Sequence, residues 1–306
     1  MPSATTPKRY PLLGPLDRLD KIIDEVRPDR VVVALAERRG RLPVRQLLDS
    51  QISCGVVVED AVEAYERLTG KVAIEMLMPG SVVFSRAFRK SRLTLLGSRV
   101  VSVLAALIGL SLLAPLSMLI AIAIKLDSRG PVFFVHDRVG RCGRRFKLIK
   151  FRSMRPAERA ADVVVDDGHR VTRVGRWLRK FRLDEIPQFV NILRGDMNLV
   201  GPRPHRVPKF ELFVEQIPYF WLRFTIRPGL TGWAQTRYAY AQTLEEETEK
   251  VRYDLYYLKH MSFWLDVRIL VDTIKIVLLS RGSAGAPRRE TVVVTNEHAE
   301  TRLSAA

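Results

Sequence analysis

The longest uncharged run of the chain covers residues 100 to 124 and reads VVSVLAALIGLSLLAPLSMLIAIAI. As a helix rising about 1.5 Å per residue, it would cover the roughly 30 Å hydrocarbon core of a bilayer. Basic clusters flank both ends, which favours the same cytoplasmic face for each, and Pro115 near the middle favours a break. The pattern predicts a re-entrant helix-break-helix; the alternatives are a kinked spanning helix and, less compatible with the missing polar face, a buried core helix.

Before this run, apolar positions alternate between helical and strand spacing, as in a parallel α/β layer. The predicted elements are a helix over 16–26, a strand over 31–35, a helix over 44–49, a strand over 56–58 and a helix that Asp60 caps, ending at Leu68 before Gly70. No strand is followed by G-x-G-x-x-G, so the sequence gives no support for dinucleotide binding. We predict a partial Rossmann-like domain over residues 1–84.

After the run, apolar residues recur at i, i+3, i+4 and i+7 from 174 to 181 and again from 186 to 193, which predicts two short amphipathic helices. The aromatic-rich stretch from Tyr253 to Leu279 predicts an interfacial helix. We expect a mostly α-helical domain over 85–280 and a disordered tail over 281–306. The fold class is therefore α/β, with a partial Rossmann-like part followed by a membrane-inserted helical part.

The net charge of the chain restricts the chemical classes of partner that it is expected to bind. The 306 residues contain 50 Lys and Arg against 33 Asp and Glu, a formal charge of +17. Such an excess implies an anionic partner, which is nucleic acid, an anionic membrane surface or a phosphorylated substrate. Two cysteines without metal-ligand spacing suit a reducing compartment, and the polar N-terminus predicts no signal peptide.

Asp184 and Glu185 are the candidate catalytic pair. They stand at the start of the second predicted helix, and Arg203 follows between two prolines that restrict its main chain. Cations beside a carboxylate suit phosphoryl transfer, because arginines bind phosphate oxygens while a carboxylate holds Mg²⁺ or attacks phosphorus. The alternative is a capping Asp184 neutralised by surface arginines. The cations that precede the pair are Arg173, Arg176, Arg179, Lys180 and Arg182.

Two further positions have competing interpretations. Lys150 and Arg152 point to the same side of an extended chain and can grip a diphosphate, or they form the solubilising pattern of an edge strand. Trp233, in a turn-rich segment with Gln235, can stack on a base, dip into the membrane interface or lie in the core.

Seven segments together resemble the bacterial sugar transferases, the monotopic polyprenyl-phosphate phosphoglycosyl transferases that start exopolysaccharide and O-antigen synthesis. They occur in the family's order over about residues 86–280, close to two thirds of the chain. The segments are LDSRGPVFF at 126–134, RVGR at 138–141, KFRSM at 150–154, LDEIPQ at 183–188, NILRGDM at 191–197, LVGPRP at 199–204 and PGLTGWAQ at 228–235.

The resemblance implies an enzyme on the cytoplasmic face of the bacterial inner membrane, in contact with membrane lipids through a re-entrant helix broken at Pro115. It implies that Asp184 attacks the β-phosphate of a UDP-sugar, expels UMP and forms a phosphosugar-aspartyl intermediate. Polyprenyl phosphate then attacks this intermediate with help from Glu185, and Mg²⁺ is expected at Asp184. The implied substrate-binding residues are Lys150, Arg152, Arg179, Arg203 and Arg237.

The sequence departs from the family pattern at three places. Ala114 replaces the usual Ser before Pro115, Ser102 stands where members often have Asp, and Thr236-Arg237-Tyr238 follows Gln235 in place of the usual Val-Asn-Gly-Arg. Longer members carry four membrane helices before a Rossmann-like domain. The resemblance therefore implies either a shortened form or a piece of a longer protein.

Two other functions remain as alternatives. The charge alone suggests a nucleic-acid-binding protein, but a soluble one would aggregate through the uncharged run, and we expect no nucleic-acid partner. A membrane-bound scaffold or regulator without turnover is the other alternative. Family habit suggests UDP-glucose or UDP-galactose as the donor, and the oligomeric state stays open between monomer and homodimer.

Overall fold

The structure, a computed structural model, describes residues 11–35, 42–77, 79–84, 88–155, 170–238, 241 and 243–279. The predicted tail at 281–306 lies outside the described residues. In chain order the elements are α1 (Leu19–Val26), β1 (Arg30–Val33), α2 (Val44–Ser53), β2 (Val57–Asp60), α3 (Ala61–Thr69), α4 (Pro79–Phe84), α5 (Arg92–Asp127), β3 (Phe133–Val139), β4 (Arg145–Phe151), α6 (Arg173–Lys180), α7 (Gln188–Arg194), β5 (Asn198–Val200), α8 (Val207–Gln216), β6 (Gly229–Thr231), α9 (Trp233–Arg237), α10 (Leu244–His260) and α11 (Phe263–Leu278).

The first part of the chain is the predicted parallel α/β layer. β1 and β2 pair in parallel, with Val31 opposite Val58, and the helices α1 to α3 alternate with them. Asp60 caps α3 by accepting a hydrogen bond from the Val62 main-chain N at 2.8 Å, and Gly70 ends the helix with a φ of 68°. Because the described residues give this sheet two strands, the Rossmann-like assignment stays a prediction.

α5 is assigned as one helix with Pro115 inside it, so the helix is not interrupted there, and the re-entrant path through Pro115 stays a prediction. Proline removes the hydrogen bond that residue 115 would donate to the carbonyl of Ser111 and otherwise only kinks a helix. In apolar surroundings open main-chain groups are costly, which favours keeping the bonds on either side. Within the described ranges, α5 is the helix that is long and apolar enough to cross a membrane.

One face of α5 packs on the rest of the protein, and its buried positions are Ser102, Ala106, Ile120 and Ile124. Near its first end, the Ser102 hydroxyl accepts a hydrogen bond from the main-chain N of Leu199 at 3.0 Å. At its last residue, Asp127 Oδ2 accepts one from the main-chain N of Val174, at 3.0 Å, where α6 begins. The helix is therefore attached to the same folded body at Ser102 and at its last residue.

The opposite face of α5 is apolar and exposed. An ordinary helix on the surface of a soluble protein is polar on that side. A contiguous apolar surface of this length marks a site of contact with membrane or protein. The exposed residues are Leu93, Leu96, Val100, Val101, Leu104, Leu107, Ile108, Leu112, Met118, Leu119, Ile122 and Leu126.

The two predicted amphipathic helices are confirmed as α6 and α7. Leu178 of α6 is buried together with Ile120, Ile124 and Phe151, whereas Trp177 of α6 is 64% exposed and stacks on Phe181. The single interfacial helix predicted over Tyr253–Leu279 is wrong, because α10 ends at His260 and α11 begins at Phe263. Several residues of α10, including Tyr257, are fully buried, so its aromatic content serves the core.

Candidate active site

A tight turn between α6 and α7 presents the two candidate carboxylates. Leu183 to Glu185 form a single turn of 3-10 helix, entered through Arg182 in the left-handed conformation with a φ of 54°. Asp184 and Glu185 are both largely buried, with residue exposures of 9% and 8%. The capping role considered for Asp184 is not found, since no side-chain cap bond is made at the start of this turn or of α7.

Glu185 is bound by two cations. Its Oε1 accepts hydrogen bonds from Lys150 Nζ and from Arg203 Nη2, each at 2.9 Å. Burial alone would raise the pKa of this carboxyl, but the charges of Lys150 and Arg203 outweigh burial and hold its pKa well below the ordinary value. Glu185 is therefore ionised, and its two hydrogen bonds fix the orientation of its carboxylate.

Asp184 has a different environment. Lys150 Nζ lies 3.6 Å from its Oδ2, beyond hydrogen-bond distance, and within the described residues no hydrogen bond to its carboxylate is found. Burial raises the pKa of Asp184 and the neighbouring charge of Glu185 raises it further, against the lowering effect of Lys150. A buried carboxylate that accepts no hydrogen bond is a stronger nucleophile than one that is hydrogen-bonded to two cations, as Glu185 is.

Lys150 reaches the pair because β4 is fastened to α7. The Asn191 side chain, fully buried, accepts a hydrogen bond from the main-chain N of Ile149 at 3.0 Å and donates one to the carbonyl of Lys147 at 2.7 Å. These bonds set the strand that carries Lys150 against the helix that follows Glu185. The register of the cation and the carboxylates is thus set by a buried amide.

Arg203 is placed by the two short parallel strands β5 and β6. Their ends pack so closely that a Cβ at Gly201, Gly229 or Gly232 would overlap neighbouring main-chain atoms. This contact brings α9 beside Arg203, and Gln235 Oε1 accepts a hydrogen bond from Arg203 Nη1 at 2.9 Å. One guanidinium therefore bridges Gln235 and Glu185.

The other predicted substrate-binding residues do not all lie in contact with the two carboxylates. Arg179 is exposed, and its charge lowers the pKa of Asp184 without a direct ion pair. Arg152 is buried and donates from Nη2 to the carbonyl and hydroxyl of Ser128, at 2.7 and 2.9 Å. Its Nε and Nη1 find no partner among the described residues. The site brings together Lys150 and Arg203, with Arg179 in electrostatic range.

Arg237 lies elsewhere. It pairs with Asp272 of α11 at 3.1 Å and stacks on Trp233, whose ring centroid is 4.2 Å from the guanidinium carbon. Trp233 itself is buried, donates from Nε1 to the carbonyl of Gly70 at 2.9 Å and stacks on Tyr256. Of the three interpretations of Trp233, the core tryptophan is the correct one.

Sequence reasoning missed two residues beside the site. Arg138 donates from Nε to His136 Nε2 at 2.6 Å, and both lie on β3 within electrostatic range of Arg203. Burial and the neighbouring arginines lower the pKa of His136 to about 3, so the imidazole is neutral. The sequence could have indicated Arg138, because it belongs to the family-like segment RVGR at 138–141. Nothing in the sequence distinguishes His136.

The carboxylates suit a metal only in part. No group of three or more His, Cys, Asp or Glu side chains in the described ranges forms a metal cage. Mg²⁺ often takes one or two protein carboxylates and completes its shell with substrate phosphates and water, so this donor set fits a metal that arrives with substrate.

Comparison with known proteins identifies the family. The family model described as bacterial sugar transferase matches residues 93–280. A UDP-N-acetylgalactosamine-undecaprenyl-phosphate N-acetylgalactosaminephosphotransferase of Aeromonas hydrophila is 41% identical over 71% of this chain and 51% of its own length. A UDP-glucose:undecaprenyl-phosphate glucose-1-phosphate transferase of Caulobacter vibrioides is 42% identical over 60% of this chain and 70% of its own length, and one of Escherichia coli is 43% identical over 56% and 38%. The chain spans about half the length of the Aeromonas relative, and by the extent of the match it belongs to the bacterial sugar transferase family.

Proposed function

We propose that the protein transfers a sugar 1-phosphate from a UDP-sugar to undecaprenyl phosphate or a related polyprenyl phosphate, with release of UMP. This would be the first membrane step of exopolysaccharide or O-antigen synthesis. The activities for which the relatives are named support the reaction class. The observation that carries the proposal is Asp184, a buried carboxylate with a raised pKa that lies beside two bound cations.

In the first half-reaction, an Asp184 carboxylate oxygen attacks the β-phosphorus of the donor. The bond from that phosphorus to the bridging oxygen breaks, and its electron pair leaves with UMP. The attack brings together an anionic nucleophile and an anionic diphosphate, so nearby positive charge must offset their repulsion. Lys150 and Arg203 supply that charge, because donor phosphates can replace Glu185 as their partner.

In the second half-reaction, a phosphate oxygen of the polyprenyl phosphate attacks the phosphorus held on Asp184. The bond between phosphorus and the Asp184 oxygen breaks, which regenerates the carboxylate and releases the polyprenyl diphosphate sugar. Glu185 is the group that takes up a proton from the incoming phosphate when that phosphate arrives protonated. Its low pKa in the resting site depends on Lys150 and Arg203, and rises when these cations turn to substrate.

Magnesium is the proposed cofactor. Asp184 would hold it together with substrate phosphates, and the ion would supply positive charge to the diphosphate during attack. Chelation with EDTA is expected to abolish UMP release, and added Mg²⁺ to restore it. Activity that persists in excess EDTA would contradict the magnesium assignment and leave the Asp184 assignment intact.

We propose further that α5 is a re-entrant anchor in the cytoplasmic leaflet of the inner membrane. The support is geometric: α5 is hydrogen-bonded to one folded body at Ser102 and at Asp127, while the outer face is apolar and exposed. If α5 spanned the bilayer, parts of this folded body would have to lie on opposite sides of the membrane. A helix lying in one leaflet keeps it on one side.

Cysteine labelling in membrane vesicles tests this topology. In a variant with Cys54 and Cys142, both free and exposed, replaced by serine, single cysteines are introduced at the exposed positions Arg89 and Arg129. Both are expected to react with an impermeant maleimide only in inside-out vesicles. Leu112→Cys, at an exposed position of α5, is the matched control and is expected to stay unlabelled in membranes. Labelling of positions 89 and 129 from opposite sides would refute the re-entrant anchor.

Purified protein with a panel of UDP-sugars and undecaprenyl phosphate tests the reaction itself. UMP release that depends on one or two sugars would support the proposal and name the donor. The alternative of a scaffold without turnover predicts no UMP from any donor, and that result would overturn the enzymatic proposal.

A further inference from the structure

The three main-chain carbonyls that run from Arg203 onward each accept a hydrogen bond. The segment has no regular secondary structure and touches β3 through an isolated bridge between Arg138 and Arg206 rather than a strand ladder. Arginine side chains take the place of ladder partners for the first two carbonyls. The three donor–acceptor pairs are Arg223 Nη2 to Arg203 O at 3.4 Å, Arg138 Nη1 to Pro204 O at 2.9 Å and Val139 N to His205 O at 3.0 Å.

Arg138 occupies an electrostatically unfavourable place. Burial, Arg203 and Arg206 lower its pKa to about 9, so it stays charged at neutral pH among like charges. Its guanidinium contacts His136 on one side and the Pro204 carbonyl on the other. A charge buried at such cost is expected to have a specific role, and the contact that it makes outside its own strand is with the segment that carries Arg203.

Arg223 is held by a group of buried charged and polar side chains, which we term the buried charge cluster: His205, Arg223, Glu247 and Asp254. His205 Nε2 lies 2.7 Å from Glu247 Oε1, and Arg223 Nη1 lies 3.1 Å from His205 Nδ1. Arg223 Nη2 also donates to Asp254. All four residues are at most 8% exposed, so Arg223 has little freedom to move away from the Arg203 carbonyl.

We propose that Arg138 and Arg223 are positioning residues for donor binding, which hold the main chain of residues 203–205 so that the Arg203 guanidinium faces the phosphate site beside Glu185. This inference rests on the proposed function. Neither arginine touches the reacting atoms in this account. Without them, Arg203 would have to be ordered at the moment of binding, and the cost would appear as weaker donor binding.

A double-mutant cycle between Arg138 and Arg203 tests the inference in the full-length protein. Arg138→Gln removes the bond to Pro204 O and is expected to raise the donor KM about tenfold, with a change in kcat below about threefold. In an Arg203→Ala background the same change is expected to alter KM by less than about twofold, because the group that it positions is gone. Arg138→Lys keeps one cationic donor and is expected to recover part of the loss.

Arg145→Gln is the matched control. Arg145 lies on the adjacent strand β4 in an exposed ion pair with Glu211 at 3.4 Å, so its removal changes the same charge without touching residues 203–205. We expect the donor KM of Arg145→Gln to equal that of the wild type. If the effects of Arg138→Gln and Arg203→Ala on KM multiply independently, the positioning proposal is overturned.

Two other results have distinct meanings. If Arg138→Gln and Arg138→Lys both lower the melting temperature and leave the donor KM unchanged, Arg138 has only a structural role and the inference is wrong. If Arg203→Ala binds donor as tightly as the wild type, the role of Arg203 in the proposed function fails and the inference fails with it. The proposed chemistry at Asp184 is judged separately, by UMP release.

Discussion

Two groups of buried charges in the same part of the molecule are built for opposite purposes. In the buried charge cluster, Asp254 and Glu247 are at most 5% exposed, and each is hydrogen-bonded to a neighbour. In the active-site group of Asp184, Glu185, Lys150 and Arg203, the cations are partly open, with side-chain exposures of 17% for Lys150 and 37% for Arg203. The closed group holds structure, whereas the open group has cations that a phosphate can reach.

The two groups contain the same kinds of charged side chain and differ in how these side chains are paired and exposed. Arg223 and Asp254 are paired with each other and are at most 2% exposed, so a ligand cannot reach them. Asp184 is buried, accepts no hydrogen bond from the described residues and has Lys150 at 3.6 Å, and the two cations beside it share one oxygen of Glu185. Partly exposed cations of this kind remain within reach of the phosphates of a substrate.

The largest expected effect separates activity from stability at Asp184. Asp184→Asn removes the nucleophile and is expected to lower UMP release at least about 10⁴-fold. Because no hydrogen bond to this carboxylate is found in the described residues, the melting temperature should change little. Measurement of UMP release together with thermal unfolding in the same detergent checks both parts. A folded Asp184→Asn protein with near-normal turnover would refute the assignment.

The same chemical change in the closed group is expected to do the reverse. Asp254→Asn leaves Arg223 buried with less compensating charge, and we expect a loss of about 3 kcal/mol in the free energy of unfolding. Denaturant titration of Asp254→Asn beside Asp184→Asn makes the comparison direct, since both replace Asp by Asn. Equal stability of the two variants would show that the distinction between the groups is wrong.

Lys150→Gln probes the cation that both active-site carboxylates share. It removes the charge 2.9 Å from Glu185 and 3.6 Å from Asp184 while leaving Arg203 in place. We expect kcat to fall about 100-fold, because the charge that offsets repulsion during attack is lost. Steady-state kinetics check this, with Lys147→Gln, exposed on the same strand, as the control. Equal kinetics for both variants would remove Lys150 from the mechanism.

The smallest expected effect is a pH dependence within the closed group. Burial lowers the pKa of His205 to about 3, so on acidification from pH 7 to pH 5 the unfolded chain takes up a proton that the folded protein refuses, which destabilises the fold. Burial raises the pKa of Asp254 to about 6, so in the same range the folded protein takes up a proton that the unfolded chain does not, which stabilises the fold.

His205→Gln removes only the first of these opposing contributions. On acidification from pH 7 to pH 5, the folded state of His205→Gln should therefore gain stability relative to that of the wild type, by about 1 to 2 kcal/mol in the free energy of unfolding. Urea titrations at the two pH values measure it, and His260→Gln at a partly exposed site is the control. An identical pH dependence in the His205 variant and the wild type would contradict the opposing protonations.

Local signals in the sequence predicted local structure well. The Asp60 cap, the Gly70 end and the spacing of apolar residues in α6 and α7 depend on neighbours within a turn or two, and all are found. Long-range effects were not predictable in this way. Pro115 was expected to break a helix that instead continues through it, since the sequence does not show that packing holds both halves.

The candidate site shows the same limit. Asp184, Glu185, Lys150 and Arg203, which separate motifs suggested, lie together in the structure, and their roles stay predictions. Arg237 was expected with them but pairs with Asp272, a residue 35 positions later whose approach depends on how α9 meets α11. Residues that act by holding other residues leave no chemical pattern of their own, and only tertiary structure finds them.

The most direct test of the central claim is intact-protein mass spectrometry of Glu185→Gln after incubation with donor and Mg²⁺, without polyprenyl phosphate. The account predicts an added mass equal to one sugar phosphate, located by peptide mapping on Asp184, and no adduct on Asp184→Asn treated in the same way. UMP release by the folded wild type without any adduct on Asp184 in either protein would contradict the covalent mechanism.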